Sequence, residues 1–399
     1  MSQRRISRSP ALSKLQSDGY DVAITGGYVV LRGVPYVTAQ KEVLLCVLAD
    51  AYNDASDRPG DHTIHMAGEL PCDENGVLQT IMFAGEAKDQ SSIQISPDLT
   101  LHWRFSVKKV GENNVPVADE DYYSKFVRYV ERLGRHVKAL GSDVSAQTYP
   151  VVSPDPEEES VFQYLDTATT RARIAPISKK LEHQRVAILG LGGTGSYIFD
   201  LVAKTPVREI HLYDPDVFHQ HNAFRAPGAP SIGQLQKKLT KVDHFASIYG
   251  NMRTGIVPHK EGLTPENAGE LTGMSFVFIA MDSGEAKHLA IDKLTEASVP
   301  FVDCGIGVYE VEQALAGVVR VTTGTASKHD HVLQQVPFTD GDVNNEYARN
   351  IQIADLNALN AALAVIRWKK VCTFYGDLER EHSSTYSIDG NCIANGDKA

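Results

Sequence analysis

The chain has 399 residues, 42% of them hydrophobic and 22% charged, with a formal net charge of −11. That composition argues against a disordered chain, and the acidic balance argues against a general nucleic-acid binder, which needs a basic surface. Five cysteines, odd in number and with no CxxC pair, argue against a disulfide framework and a four-thiolate zinc site.

The first residues, MSQRRISRSPALSK, are basic with no apolar core behind them, so no secretory signal is expected. No run approaches the 18 or so apolar residues of a membrane span. A cytoplasmic protein without a membrane partner is the expectation.

Short alternating runs predict strands at Tyr20–Ile24, Tyr28–Arg32, His62–Met66 and Leu99–Phe105. An amphipathic helix follows, with Tyr122, Phe126, Tyr129, Leu133 and Val137 on one face. Asp119 and Asp121 near its start suit the positive end of the helix dipole. Residues 1–145 therefore read as a small α+β module. The Pro-, Ser- and acid-rich stretch Gly141–Ser160 reads as a linker, placed at 146–160, and a second domain is expected over 161–399.

In that second domain the rhythm changes. Arg185–Leu189, Glu209–Tyr213, Ile256–His259, Phe276–Ala280 and Pro300–Cys304 are short apolar runs, and helix-length segments separate most of them. This alternation predicts a Rossmann-like, mostly parallel sheet with helices on both faces. Ala314–Val321 extends the sheet, and Ile351–Phe374, with Ile353, Leu356, Leu359, Leu363 and Ile366 at helical spacing, predicts a long closing helix.

The first strand of this half runs into Gly190, Leu191, Gly192, Gly193, Thr194, Gly195 and Ser196. Glycines there let backbone N–H groups approach a phosphate at the positive end of the next helix. Asp214, ending the second strand, stands at the spacing for ribose hydroxyls, so NAD is one ligand that fits. Three further features favour ATP. Asp214 and Asp216 are followed by the polar and cationic Asn222–Arg225, and Lys237, Lys238 and Lys241 lie on the next helical segment. Asp282 comes just past a buried strand, where an acid can hold Mg²⁺ against phosphate oxygens. His219, His221, His329 and His331 lack a third ligand at metal spacing and are expected to be solvated.

With those residues in view, Val186–Val321 resembles the ThiF/MoeB family of adenylating enzymes, which includes the adenylation domains of ubiquitin-activating enzymes. The resemblance rests on GxGGxGS at Gly190–Ser196, Asp214 with Asp216, Asn222 with Arg225, Lys241 (Lys237 or Lys238 being the alternatives) and Asp282. It departs in Asn222-Ala223-Phe224-Arg225-Ala226 for the family's Asn-x-Asn-Arg-Gln, in Met281-Asp282-Ser283 for Thr-Asp-Asn, and in the missing zinc cysteines. It implies ATP- and Mg²⁺-dependent adenylation of the C-terminal carboxylate of a ubiquitin-like or sulfur-carrier protein, with release of pyrophosphate. It places the Gly190, Gly192, Gly193, Thr194 and Gly195 backbone on phosphate and Asp214 on ribose, beside Asp216. Asn222, Arg225 and Lys241 fall on the triphosphate, and Asp282 on the metal.

The resemblance further implies a homodimer in which an arginine ahead of the first strand enters the partner's site, with Arg171 and Arg173 as candidates. It places the chain in a bacterial ubiquitin-like conjugation pathway and admits a conjugating enzyme as partner of the N-terminal domain. The polar stretch Thr322–Asn350 would form a lid or a tail-binding loop. Two other classes keep a place: an NAD-dependent oxidoreductase and a non-catalytic scaffold of the same fold. Cys72, in a turn, and Cys392, in a polar tail, are the most accessible thiols, yet no obligatory thioester is expected.

Overall fold

The computed structural model describes residues 2–53, 56–83, 92–111, 115–153, 160–172, 174–282, 284–338 and 351–398. The chain divides into two compact units. Met1–Glu159 with Tyr164–Arg173 form the first, and Ser160–Gln163 with Ile174–Ala399 the second.

The first unit is built on an antiparallel meander of β1 (Asp21–Thr25), β2 (Tyr28–Val37), β3 (Val43–Ala51), β4 (Ile64–Ala67) and β5 (Trp103–Phe105). Helix α1 (Pro10–Ser17) and helix α2 (Tyr122–Ala139) contribute to its core. The five residues expected on one face of α2 are all buried. Asp121 caps α2 by accepting the Ser124 N–H at 2.7 Å. Asp119 serves elsewhere, paired with Arg128 at 2.6 Å.

The expected single strand Leu99–Phe105 is broken at His102. Leu99–Leu101 pairs with Ile93–Ser96, while Trp103–Phe105 pairs with β4. Strand β3 was not expected, because Val43–Ala49 is an unbroken apolar run with no alternation.

The second unit carries an eight-stranded sheet. Its strands are β6 (Arg185–Leu189), β7 (Glu209–Tyr213), β8 (Ile256–His259), β9 (Phe276–Ile279), β10 (Phe301–Val311), β11 (Ala314–Gly324), β12 (Ser383–Ser387) and β13 (Cys392–Gly396). Their order is β8-β7-β6-β9-β10-β11-β12-β13, parallel through β10 and antiparallel beyond. The central strand β6 is buried on both faces. Val186 and Ile188 enter one core, Ala187 and Leu189 the other, as a strand covered on both sides requires. Helices α3 (Gly193–Ala203), α4 (Lys241–Tyr249), α5 (Gly284–Glu296) and α6 (Ala354–Val371) cover these faces.

Helix α6 turns inward a stripe offset from the one its leucines suggest. Leu356, Asn357, Asn360, Ala361, Ala364, Val365, Arg367 and Trp368 are buried and Leu363 packs half-buried against the core, whereas Ile366 is exposed. The chain beyond α6 is no free tail, since Cys392 opens the exposed edge strand β13 and pairs with Ser387. The stretch Thr322–Asn350 likewise begins as the end of β11 and continues to a short helix, Val332–Gln335. Its residues 339–350 lie outside the described residues. No described helix is long and apolar enough to cross a membrane.

Candidate active site

The strand order reverses around β6: β7 lies on one side of it and β9 on the other. Loops leaving the carboxyl ends of β6 and β9 therefore part, and a crevice opens between them. Here the crevice is a cleft of about 900 Å³. Its walls include Gly190, Gly192, Gly193, Thr194, Asp214, Asp216, Arg225, Lys241 and Asp282.

The glycines answer to crowding. Gly190 has φ +88°, and a Cβ there would lie 2.5 Å from the Ala280 carbonyl oxygen. A Cβ on Gly195 would lie 1.8 Å from the Gly190 carbonyl oxygen. Larger residues would push the loop away from the strand ends and from any ligand above them. Helix α3 starts at Gly193, so its first N–H groups face the cleft end of the sheet.

Asp214 is 4% exposed and organises the loop above it. Its carboxylate accepts the Leu191 N–H at 2.7 Å and the Asp216 N–H at 2.9 Å. Lys241, also buried, donates to Asp214 at 3.2 Å and to Asp216 at 2.6 Å. The phosphate loop, the acid pair and the lysine thus form one connected network. Lys237 and Lys238 stand exposed between a short helix, Ile232–Gln236, and α4.

Arg225 reaches the cleft wall, and its buried Nε has no hydrogen-bond partner among the described residues. Asn222 is not on that wall. It is buried, and its Oδ1 accepts the His219 N–H at 2.8 Å, shaping the turn that carries Arg225. Asp282 is exposed at the wall of the cleft, and Ser283 beside it lies outside the described residues. Arg171 sits exposed on a short helix, Thr167–Ala172, that groups with the first unit, and Arg173 lies outside the described residues.

Near the glycines the wall carries four carboxylates (Asp214, Asp216, Glu261 and Asp282) against two cations (Arg225 and Lys241). No group of three or more His, Cys, Asp or Glu side chains able to hold a metal occurs among the described residues. A magnesium ion here would rely on one or two carboxylates plus nucleotide phosphates and water, which is its usual coordination. Asp282, exposed and hard-oxygen, fits that requirement.

A second charged cluster in the cleft has no motif that marks it in the sequence. Asp303 on β10 is fully buried, with Lys287 of α5 at 3.2 Å and Arg320 of β11 at 2.6 Å. Both cations line the cleft, so this end carries a net positive charge. Asn357 of α6 was missed too; it accepts from Thr194 Oγ1 at 3.1 Å. The signal for it in the sequence is a pair of amides, Asn357 and Asn360, interrupting the apolar residues of the helix.

The thiols are mostly closed off. Cys304 lies in the cleft wall, but burial pushes its thiol far above the ordinary range. Cys72 was expected in an open turn. It is buried instead, and burial, with Asp73 adding to it, raises its pKa. Burial likewise pushes Cys372 up to about 11. Only Cys392 is exposed. His331, expected to be solvated, is buried.

A glycine loop at a switch point, with a buried acid, cations and an exposed acid around it, fits the class to which the chain belongs, the adenylyltransferases. A family model described as the ThiF family matches residues 166–366, and the chain belongs to this family. A second model, described as a domain of unknown function (DUF6791), matches residues 10–167. No curated protein sequence matches the chain.

Among solved structures, E. coli MccB with MccA-N7isoASN is similar at 15% identity and a TM-score of 0.46, covering 58% of this chain and 70% of that one. E. coli MccB with ATP is similar at 16% identity and a TM-score of 0.43, covering 56% and 66%. PaaA is similar at 15% identity and a TM-score of 0.43, covering 56% and 75%.

Proposed function

We propose that this protein uses ATP and Mg²⁺ to adenylate the C-terminal glycine carboxylate of a ubiquitin-like or sulfur-carrier protein, within a bacterial ubiquitin-like conjugation pathway. The observation that carries the reading is one cleft lined by two charged groups. The glycine loop, Asp214, Asp216, Arg225, Lys241 and Asp282 make up one, and Lys287 and Arg320, both paired with the buried Asp303, make up the other. The first group suits a nucleotide with its metal, and the second suits an incoming carboxylate.

In this reading the amides of Gly190–Gly195 cradle phosphate. A carboxylate offers about four acceptor positions; three donors already use Asp214, which leaves it one for a ribose hydroxyl. Arg225 and Lys241 face the triphosphate, while Asn222 holds the Arg225 turn in place. Asp282 would hold Mg²⁺, which neutralises charge on the triphosphate when bound. A carboxylate oxygen attacks the α-phosphorus, the bond to the β-phosphate oxygen breaks, and pyrophosphate leaves with that electron pair. The chain's own work is alignment of two anions and neutralisation of the charge between them.

A homodimer would let Arg171 of one copy serve the site of the other, and the first unit is proposed as the docking place of a conjugating enzyme. ATP–pyrophosphate exchange, measured with carrier proteins ending in a free glycine, tests the reading. Carrier-dependent exchange is the expected result. Tight NADH binding without exchange would instead make the protein an oxidoreductase, and neither activity would leave the scaffold.

A further inference from the structure

Three segments from three different strands meet at the cleft, and one helix is hydrogen-bonded to all of them. Helix α6 presents Asn357 and Asn360, one turn apart, both buried. Asn357 accepts from Thr194 Oγ1 at 3.1 Å and donates from Nδ2 to the Arg225 carbonyl at 3.3 Å. Asn360 donates to the Gly305 carbonyl at 3.2 Å, and its Oδ1 has no partner among the described residues.

The phosphate loop also rests on this helix directly, because a Cβ on Gly193 would lie 1.9 Å from Asn357 Nδ2. Core packing alone gives no reason for two amides in that stripe. Ala361, Ala364 and Trp368 fill it, and a buried amide costs free energy unless its hydrogen bonds are made.

We propose that Asn357 and Asn360 are positioning residues: together they fix the phosphate-loop wall of the cleft relative to the Gly305 strand. That spacing sets the distance between a bound α-phosphorus and the carboxylate that attacks it. The inference rests on the adenylation reading of the cleft. Neither side chain is assigned to a reacting atom. Asn357 works through Thr194 and Arg225 on the nucleotide side, Asn360 through Gly305 on the carboxylate side. A misplacement of about 1 Å is enough to cost about 100-fold in such an alignment.

The test uses the full chain and two ligands, AMP and glycyl-sulfamoyl adenosine, a stable analogue of a glycyl-adenylate that carries the acyl group as well as the nucleotide. Wild type should bind the analogue more tightly than AMP. Asn360→Leu should leave AMP affinity unchanged yet lose about tenfold or more in analogue affinity. Asn357→Leu should weaken both ligands, since both of its partners lie on the nucleotide side. Should Asn360→Leu fail to fold, Asn360→Ser, which shortens the reach but keeps a donor, is read by the same ratio. If the Asn360 variant keeps the wild-type ratio of the two affinities, or Asn357→Leu binds both ligands as wild type does, the positioning role is overturned while the adenylation reading stands. If wild type binds the analogue no better than AMP, the adenylation reading itself falls and takes the positioning role with it.

Discussion

Lys241 and Arg225 lie at the same cleft but answer differently to loss. Lys241 is buried against Asp214 and Asp216, so Lys241→Ala strips a buried carboxylate of its cation. Two backbone N–H donors remain to Asp214, which keeps the expected destabilisation to about 1–3 kcal/mol. Arg225 has an unpaired Nε, and Arg225→Ala should cost no more than about 0.5 kcal/mol. Both variants should lower ATP–pyrophosphate exchange. Thermal melts beside the exchange assay check this, and an Arg225→Ala protein that is fully active and unstable would reverse the roles. Asp282→Ala should cut exchange by about 100-fold in a protein that still folds, and wild-type exchange in that variant would remove the metal assignment.

The cysteines belong to the same scale. A thioester nucleophile needs an accessible thiolate, and Cys46, Cys72 and Cys304 are buried. Cys392 alone is exposed, on the outermost strand of the sheet. Non-reducing gels after incubation with ATP and carrier should show no reducible adduct, and Cys392→Ser should adenylate as wild type does. An adduct lost in that variant would name Cys392 as the nucleophile.

At the scale of elements, helix α4 carries the lysine on one end and a titratable stack on its flank. His244 lies over Phe218 with ring centroids 3.9 Å apart, and burial lowers its pKa. Burial is also the first cause of the lowered pKa values of His259 and His382. A histidine held neutral in the folded state has a folded pKa below its unfolded value of about 6.5. Its contribution to stability is present above that pH and is lost as pH falls below it. The denaturant midpoint should therefore drop between neutral pH and the acid side of that value. His244→Phe keeps the stack and removes one titration, so its drop should be shallower; an identical slope would show that His244 plays no part.

For the whole molecule, each unit has its own core. The clusters of the second unit draw on residues from Leu181 to Phe374, and those of the first on residues from Ile6 to Ala146. The described cleft-lining residues run from Gly190 to Asn357. A fragment beginning at Ser160 should accordingly fold and bind ATP as the full chain does, by calorimetry. Loss of binding in a folded fragment would mean that residues before Ser160 take part in the nucleotide site.

What the sequence determined by itself was local. Apolar runs and the glycine loop marked β6, β7, β8 and β9 and the site at their carboxyl ends, because strand periodicity and a glycine's freedom of φ are properties of neighbouring residues. The three- and four-residue spacing of α2 marked its buried face for the same reason. What only the tertiary structure decided were pairings between residues far apart in the chain. Lys287, Asp303 and Arg320 become one charged cluster only when α5, β10 and β11 meet. The inward stripe of α6 takes in Leu356 but also Asn357 and Asn360, whose hydrogen-bond partners lie on segments far away in the chain. A cysteine's accessibility depends on what packs over it, which is why Cys72 closed into the core and Cys392 stands on an edge strand. Burial and pairing are sums over the whole fold, and no window of sequence contains them.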